Sequence, residues 1–214
     1  MRTMTTMCVL VVAVLSTLAV MPAAARADEV AEAVDQGNVA YGKGDYDAAI
    51  GRYTEAIRLN PKASWAYNNR GLAYVAKGDF DKAIADYAEA IRLNPKYADA
   101  YENRGFAYYG KNDFDKAIAD YNEAVRLNPK DAVAYNNRGL AYGQKGDSDK
   151  AIADYTEAIG LDPKDASTYF SRGVAYGRKG DSDKAIADYS EAIRLAPKMS
   201  LAYYNRGLAH VYKS

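Results

Sequence analysis

Prolines stand at positions 61, 95, 129, 163 and 197, and glycines at 37, 71, 105, 139, 173 and 207 keep the same constant step. This fixed period constrains the fold more than any other feature of the chain. Each copy is one supersecondary unit that cannot bury its apolar face alone, so the copies must stack into an array. The period divides the chain into units 30–63, 64–97, 98–131, 132–165 and 166–199, followed by a partial unit 200–214.

Each full unit holds two stretches with apolar residues three and four apart, typified by SWAYNNRGLAYVAK (64–77) and DKAIADYAEAIRL (81–93). That spacing predicts two helices per unit. Gly44, Gly78, Asn112, Gly146 and Gly180 follow the first stretch, where a helix end needs a residue tolerant of positive φ. Asp45, Asp79, Asp113, Asp147 and Asp181 come next and are placed to cap the second helix. The second helix should stop just ahead of each proline, because the preceding residue is pushed out of the helical region. The expected unit is helix, tight turn, helix and short link, and the expected class is all-α.

Composition removes several classes of function. The chain carries 28 basic and 28 acidic residues, one cysteine and one histidine. A nucleic-acid binder that neutralises phosphates needs a basic excess. A single cysteine excludes a disulfide framework and any cysteine-rich metal site. His210 stands alone where other units have tyrosine, so packing is expected of it rather than catalysis. Asp-x-Asp pairs such as Asp79 with Asp81 lack the glycine and terminal glutamate of a calcium loop. No Gly-rich phosphate cradle is present in the sequence. The expectation is a chain that is not an enzyme and needs neither cofactor nor metal.

The first 27 residues read as an address. Arg2 gives a positive start, Cys8 to Met21 is an apolar run, Pro22 breaks it, and Ala25-Arg26-Ala27 offers a small-x-small cleavage site. This is the layout of a secretory signal peptide, whereas a spanning helix wants about 20 apolar residues. Cleavage after Ala27 is expected, by the general secretion route, with a domain 28–214 left in the periplasm or outside the cell. The alternative is that the leader is retained as an anchor. Cleavage leaves 26 basic against 28 acidic residues and no cysteine.

The repeated residues resemble the tetratricopeptide repeat family, whose pattern runs through an aromatic, Leu-Gly, Tyr, Ala, an aromatic, Ala and Pro within about 34 residues. The second unit supplies Tyr67, Gly71, Tyr74, Ala83, Tyr87, Ala90 and Pro95. The third supplies Tyr101, Gly105, Tyr108, Ala117, Tyr121, Ala124 and Pro129, and the next two follow suit to Pro197. The resemblance implies a right-handed superhelical solenoid of about five repeats plus a final single helix. It also absorbs 14 of the 20 tyrosines as framework rings with a hydroxyl at the rim, leaving Tyr41, Tyr109, Tyr204 and Tyr212 to face a partner.

Departures from the pattern carry information. Arg70, Arg104, Arg138, Arg172 and Arg206 replace an apolar residue at the seventh repeat position. A glutamate precedes each of them at one constant separation, which predicts inter-repeat pairs Glu55–Arg70, Glu89–Arg104 and so on. Asp86, Asp120, Asp154 and Asp188 lie four residues after a lysine, which predicts exposed ion pairs along the second helix. The final helix, with Leu201, Leu208 and Val211, is expected to pack back on the fifth repeat, with self-association as the other reading.

The resemblance also implies that first helices line a concave face. Its candidate residues are Trp65, Asn68, Asn69, Asp99, Glu102, Asn103, Tyr109, Asn136, Asn137, Phe170 and Asn205, with Phe106 and Val133 beside them. An asparagine amide offers one acceptor and two donors, so a row of them can bracket an extended peptide without reading its sequence. The family's clamp for the C-terminal carboxylate of Hsp70 and Hsp90 needs lysines and an arginine. Asn38 and Asn69 match its asparagines, but Val34, Asp99 and Asn103 occupy the cationic sites, so the clamp is not expected. The expected function is binding of a protein or extended peptide in the groove, without nucleic acid and without membrane contact once the leader is gone. Two other readings stay open: a homo-oligomeric envelope scaffold joined through its ends, and a glycan binder stacking sugars on Trp65, Tyr109, Phe170 and Tyr204.

Overall fold

Left-handed backbone at five turns breaks the chain into helix pairs. A computed structural model describes residues 23–213; the leader expected at 1–27 falls outside the described residues except for 23–27, which are helical. Eleven helices and no strand occur among the described residues: α1 (Ala23–Gly42), α2 (Tyr46–Leu59), α3 (Ser64–Ala76), α4 (Phe80–Leu93), α5 (Ala98–Gly110), α6 (Phe114–Leu127), α7 (Ala132–Gln144), α8 (Ser148–Leu161), α9 (Ala166–Arg178), α10 (Ser182–Leu195) and α11 (Ser200–Lys213).

The turn chemistry is that of the sequence. Gly44, Gly78, Gly146 and Gly180 have φ between 77° and 83°, and Asn112 has φ 60°. Asn112 is tolerated because its short polar side chain suits this region better than other L residues do. The next aspartate then accepts a hydrogen bond from the backbone N–H three residues on, as Asp147 does from Lys150. Such a cap contributes about 1 kcal/mol. Second helices end at residues with φ near −130°, from Asn60 (φ −135°) to Ala196 (φ −131°), each ahead of its proline.

Packing divides the chain into two compact units, Met1–Pro95 and Lys96–Ser214. In the first, α1 packs on α2, α2 on α3 and α3 on α4. In the second, α5 to α11 pack in the same consecutive manner. Alanines at four repeat positions, such as Ala134, Ala141, Ala151 and Ala158, are 0–2% exposed and let the helices approach closely. A tyrosine from each second helix then wedges against the glycine of its first helix. A methyl group on Gly139 would sit 2.8 Å from the Tyr155 ring, and one on Gly71 would sit 2.6 Å from the Tyr87 ring.

These wedge tyrosines correct one expectation. Tyr53, Tyr87, Tyr121, Tyr155 and Tyr189 are 0–4% exposed, and the Tyr87 hydroxyl is buried without a hydrogen-bond partner, so it does not reach a wet rim. Burial pushes the Tyr87, Tyr121 and Tyr155 hydroxyls up, away from ionisation. The other two tyrosine rows are half-buried, except for the exposed Tyr203, and serve as platforms for cations. Arg138 lies 5.4 Å over Tyr135, and Lys150 lies 5.2 Å over Tyr142.

Candidate partner-binding face

First helices supply the candidate residues, and the arginine row holds those helices in place. The expected Glu55–Arg70 and Glu89–Arg104 pairs do not form. Arg70, Arg104, Arg138 and Arg172 instead form two-pronged bonds of 2.7–2.9 Å with Asp86, Asp120, Asp154 and Asp188 of their own repeat. Glu55, Glu89, Glu123 and Glu191 turn outward to the arginine three residues on. The aspartates are 6–7% exposed, so they do not make the surface pairs expected with Lys82, Lys116, Lys150 and Lys184. Those lysines bind the capping aspartates instead.

The physical reason is register. The aspartate precedes the wedge tyrosine, and the arginine precedes the glycine that receives it. Once the ring seats on the glycine, the two neighbours must meet. Burial pushes the Asp120 carboxyl up, while the Arg104 hydrogen bond pulls it down. The same hydrogen bonds push all four guanidinium groups above their ordinary value, so they stay charged. The second arm of each arginine reaches back one repeat where an acceptor exists: Arg70 to Thr54 at 3.0 Å, Arg138 to Asn122 at 2.9 Å and Arg172 to Thr156 at 3.1 Å. The arginines therefore do join successive repeats, through a hydroxyl or amide rather than a glutamate. Exposed pairs Lys77–Asp47, Lys145–Asp115 and Lys179–Asp149 also bridge repeats, and such surface pairs are worth about 0–1 kcal/mol.

In the first compact unit Trp65 is 37% exposed and lines a cleft of about 760 Å³ with Val30, Val34, Leu59 and Pro61. Asn69 donates to Asn38 at 3.5 Å, and Asn38 in turn accepts from the Tyr53 hydroxyl at 2.8 Å. Asn68 is 4% exposed, which removes it from the set able to face a partner. Its neighbours on the helix, Ala66 and Gly71, are buried with it, so its amide belongs to the packed side of α3.

In the second compact unit Asp99 is exposed, and Glu102, Asn103, Asn136, Asn137 and Asn205 are half-buried. Asn137 donates to Glu102 at 3.1 Å, and Asn136 accepts from the Thr168 hydroxyl at 3.1 Å. Tyr109 meets Phe114 edge-on at 5.4 Å and accepts from Gln144, and Phe170 packs on Tyr189 at 5.8 Å. Phe106 and Val133 are 48% and 58% exposed. Gln144 and Arg178, absent from the sequence expectation, line a small cleft with Leu140, Phe170 and Val174. Their recurrence at the thirteenth repeat position was the available signal.

Glu102 has the most perturbed carboxyl of the face, pushed up from 4.5 to about 7 by burial first and by repulsion from Asp131 and Asp99, against the hydrogen bond from Asn137. Between pH 4.5 and about 7 the folded chain holds a proton that the unfolded chain has lost. Stability therefore falls as pH rises through that window and levels off above it. Glu102→Gln should raise stability by about 2 kcal/mol above neutral pH and leave it unchanged near pH 4, a figure discounted from the full shift because the group keeps some solvent. Urea midpoints across pH test this, and a variant–parent difference independent of pH would refute it.

His210 is exposed near the end of α11, so the packing role expected of it is not realised. Leu201, Leu208 and Val211 are likewise 61%, 37% and 68% exposed, and α11 packs on α10 through Ala202 and Ala209 instead. Among the described residues no helix is long and apolar enough to cross a membrane.

Comparison with known proteins accounts for the period. Family models described as TPR repeat match residues 37–78, 71–112 and 107–146, and the Tetratricopeptide repeat model matches 132–165 and 166–199. The crystal structure of MamA protein is similar with TM-score 0.72 and 30% identity, over 80% of this chain and 94% of that one. YrrB, described as a TPR protein with an unusual peptide-binding site, shares the fold with TM-score 0.70 and 24% identity, over 82% and 90% of the two chains. Hsp70-Hsp90 organizing protein 3 of Arabidopsis thaliana is 44% identical over 45 residues, 21% of this chain. The matched stretch spans only 8% of that relative's length. With the matched residues running from Gly37 through Met199, the chain belongs to the tetratricopeptide repeat family.

Proposed function

We propose that this protein-interaction module is exported, and that it holds an extended segment of a partner protein against the first-helix faces of its repeats. The observation that carries the reading is the state of the amides. Asn69 and Asn137 each spend one donor on a neighbouring repeat, to Asn38 and Glu102. Asn137 is thereby oriented while keeping a donor and an acceptor for a peptide backbone, whereas the Asn69 oxygen already accepts from Asn68 at 3.5 Å, so that amide keeps a donor. Exposed Phe106 and Val133 stand in the same stretch of sequence and suit apolar side chains of the partner. The peptide-binding site attributed to YrrB, a protein of this fold, supports the same kind of ligand. The likeness to the Hsp70-Hsp90 organizing protein does not extend to a carboxylate clamp, since Val34, Asp99 and Asn103 hold the cationic sites.

Export rests on the apolar run Cys8 to Met21 and the Ala25-Arg26-Ala27 site. N-terminal sequencing of the exported chain should begin at Asp28. For binding, affinity capture from envelope extract with the Asn69→Ala, Asn103→Ala, Asn137→Ala triple variant should lose the partners that the parent retains. If the triple variant kept every partner, the groove reading would fail.

A further inference from the structure

Between α7, α8 and α9 lies a cleft of about 170 Å³, with α5 and α6 packed on one side of these helices and α10 and α11 on the other. Its walls include the half-buried Leu140, Phe170 and Val174. The space is roughly five to six times a water molecule's share of liquid, which suits one apolar side chain. Gly143 keeps it open. At this register the second and third units carry Val75 and Tyr109. A methyl on Gly143 would meet Arg178, Tyr155 and Ala151 no closer than 3.8 Å, an ordinary contact distance. Internal packing therefore does not call for glycine here, although glycine weakens a helix relative to alanine.

The cleft also carries an unneutralised charge. Arg178 donates to the Gly143 carbonyl at 2.7 Å, which fixes its guanidinium at the cleft. Arg138 and Arg172 nearby are paired with Asp154 and Asp188, but among the described residues no carboxylate pairs with Arg178. One of its five N–H groups is spent on a neutral oxygen, and the rest face solvent or a ligand. Burial pushes the Tyr155 and Tyr189 hydroxyls up, and the Arg178 charge pulls both back, so its field reaches the packed side of the cleft. Toward α5 the sign reverses, because Glu102 meets Asn137 there beside Asp99 and Asp131.

Resting on the peptide-binding reading above, we infer that the partner's extended segment places an apolar side chain in this cleft and the carboxylate of an Asp or Glu side chain on Arg178. Alternate side chains of an extended segment share a face, so the two belong two residues apart in the partner. A guanidinium matches a planar carboxylate with two parallel hydrogen bonds. The carboxylate belongs to a side chain rather than a chain end, because first-helix faces continue past the cleft on both sides and the segment runs on. A uniformly acidic segment does not fit, since Glu102 and its acidic neighbours would repel it.

The test is selection of random peptides, fused to phage through their C-termini, against the full chain. Retained peptides should be enriched in Asp or Glu two residues from an aliphatic or aromatic residue. Arg178→Glu should replace the acidic preference by Lys or Arg, and Gly143→Leu, which fills the cleft, should remove the apolar one. Both variants should keep the parent's helical circular dichroism. A retained peptide, followed by fluorescence anisotropy, should bind Arg178→Met about tenfold more weakly, as expected for a lost hydrogen bond to a charged group. Retained peptides that need Asn137 but show no acidic preference, or an acidic preference unchanged by Arg178→Glu, would overturn this inference and leave the groove reading standing. If the parent retained no peptide, both would fall.

Discussion

Asp154→Ala should cost about 3–5 kcal/mol, because it leaves the Arg138 guanidinium in a packed interface without its carboxylate. The pair is two-pronged at 2.7 and 2.9 Å, and its side chains are 8% and 18% exposed for aspartate and arginine. Removing the acid strands a charge that Asn122 and Tyr135 only partly satisfy. Removing both charges is a different matter. Arg138→Met with Asp154→Leu replaces an ion pair by apolar packing, and such replacements are often neutral or stabilising. Urea unfolding of the two variants by circular dichroism is the measurement. A loss below about 1 kcal/mol for Asp154→Ala would mean that the pair behaves as a surface bridge. In a repeat array stability is close to a sum of nearest-neighbour terms, so the loss should appear as an earlier transition of the affected stretch.

Gly139→Ala and Gly207→Ala should move stability in opposite directions, although both glycines occupy the same repeat position. A methyl at Gly139 meets the buried Tyr155 ring at 2.8 Å, and that ring, 3% exposed, has nowhere to go. Overpacking of this kind costs about 1–3 kcal/mol. At Gly207 nothing lies within 4 Å. There the substitution replaces a flexible helical residue by the best helix former and should gain about 0.5–1 kcal/mol. Thermal midpoints of both variants test the pair. Equal shifts would mean that the wedge does not explain the recurrent glycine.

Much of the architecture is legible in the sequence because it depends on local chemistry. The left-handed turns at Gly78 or Asn112, the Asp79 cap and the stop before Pro95 are each set by a residue's own backbone preferences, so they need no tertiary information. The candidate face is legible in part. Asn69, Asn137 and Glu102 stay partly exposed, but Asn68 lies on the packed side of its helix, and Gln144 and Arg178, at a repeat position the family pattern includes, line the small cleft. A difference of one repeat position rotates a side chain by about 100° around the helix, which the family pattern alone resolves only coarsely.

The arginine row shows where a sequence misleads and why. Glutamate and aspartate rows recur with the same period, and their separations from the arginine row differ by a single position. One clue is present. The first repeat has Gln36 in place of the arginine and Arg52 in place of the aspartate, so both partners are missing together. The apparent counter-clue is Arg206, which has no aspartate to follow it and points to the glutamates instead.

The sequence by itself determined the period, the helix pairs and the turns, because proline, glycine and capping aspartate act on their own backbone. Only the tertiary structure decided which charges meet and which tyrosines are buried. Those outcomes depend on how one tyrosine ring seats on one glycine across two helices, a contact between distant stretches of chain that fixes the register of every neighbour.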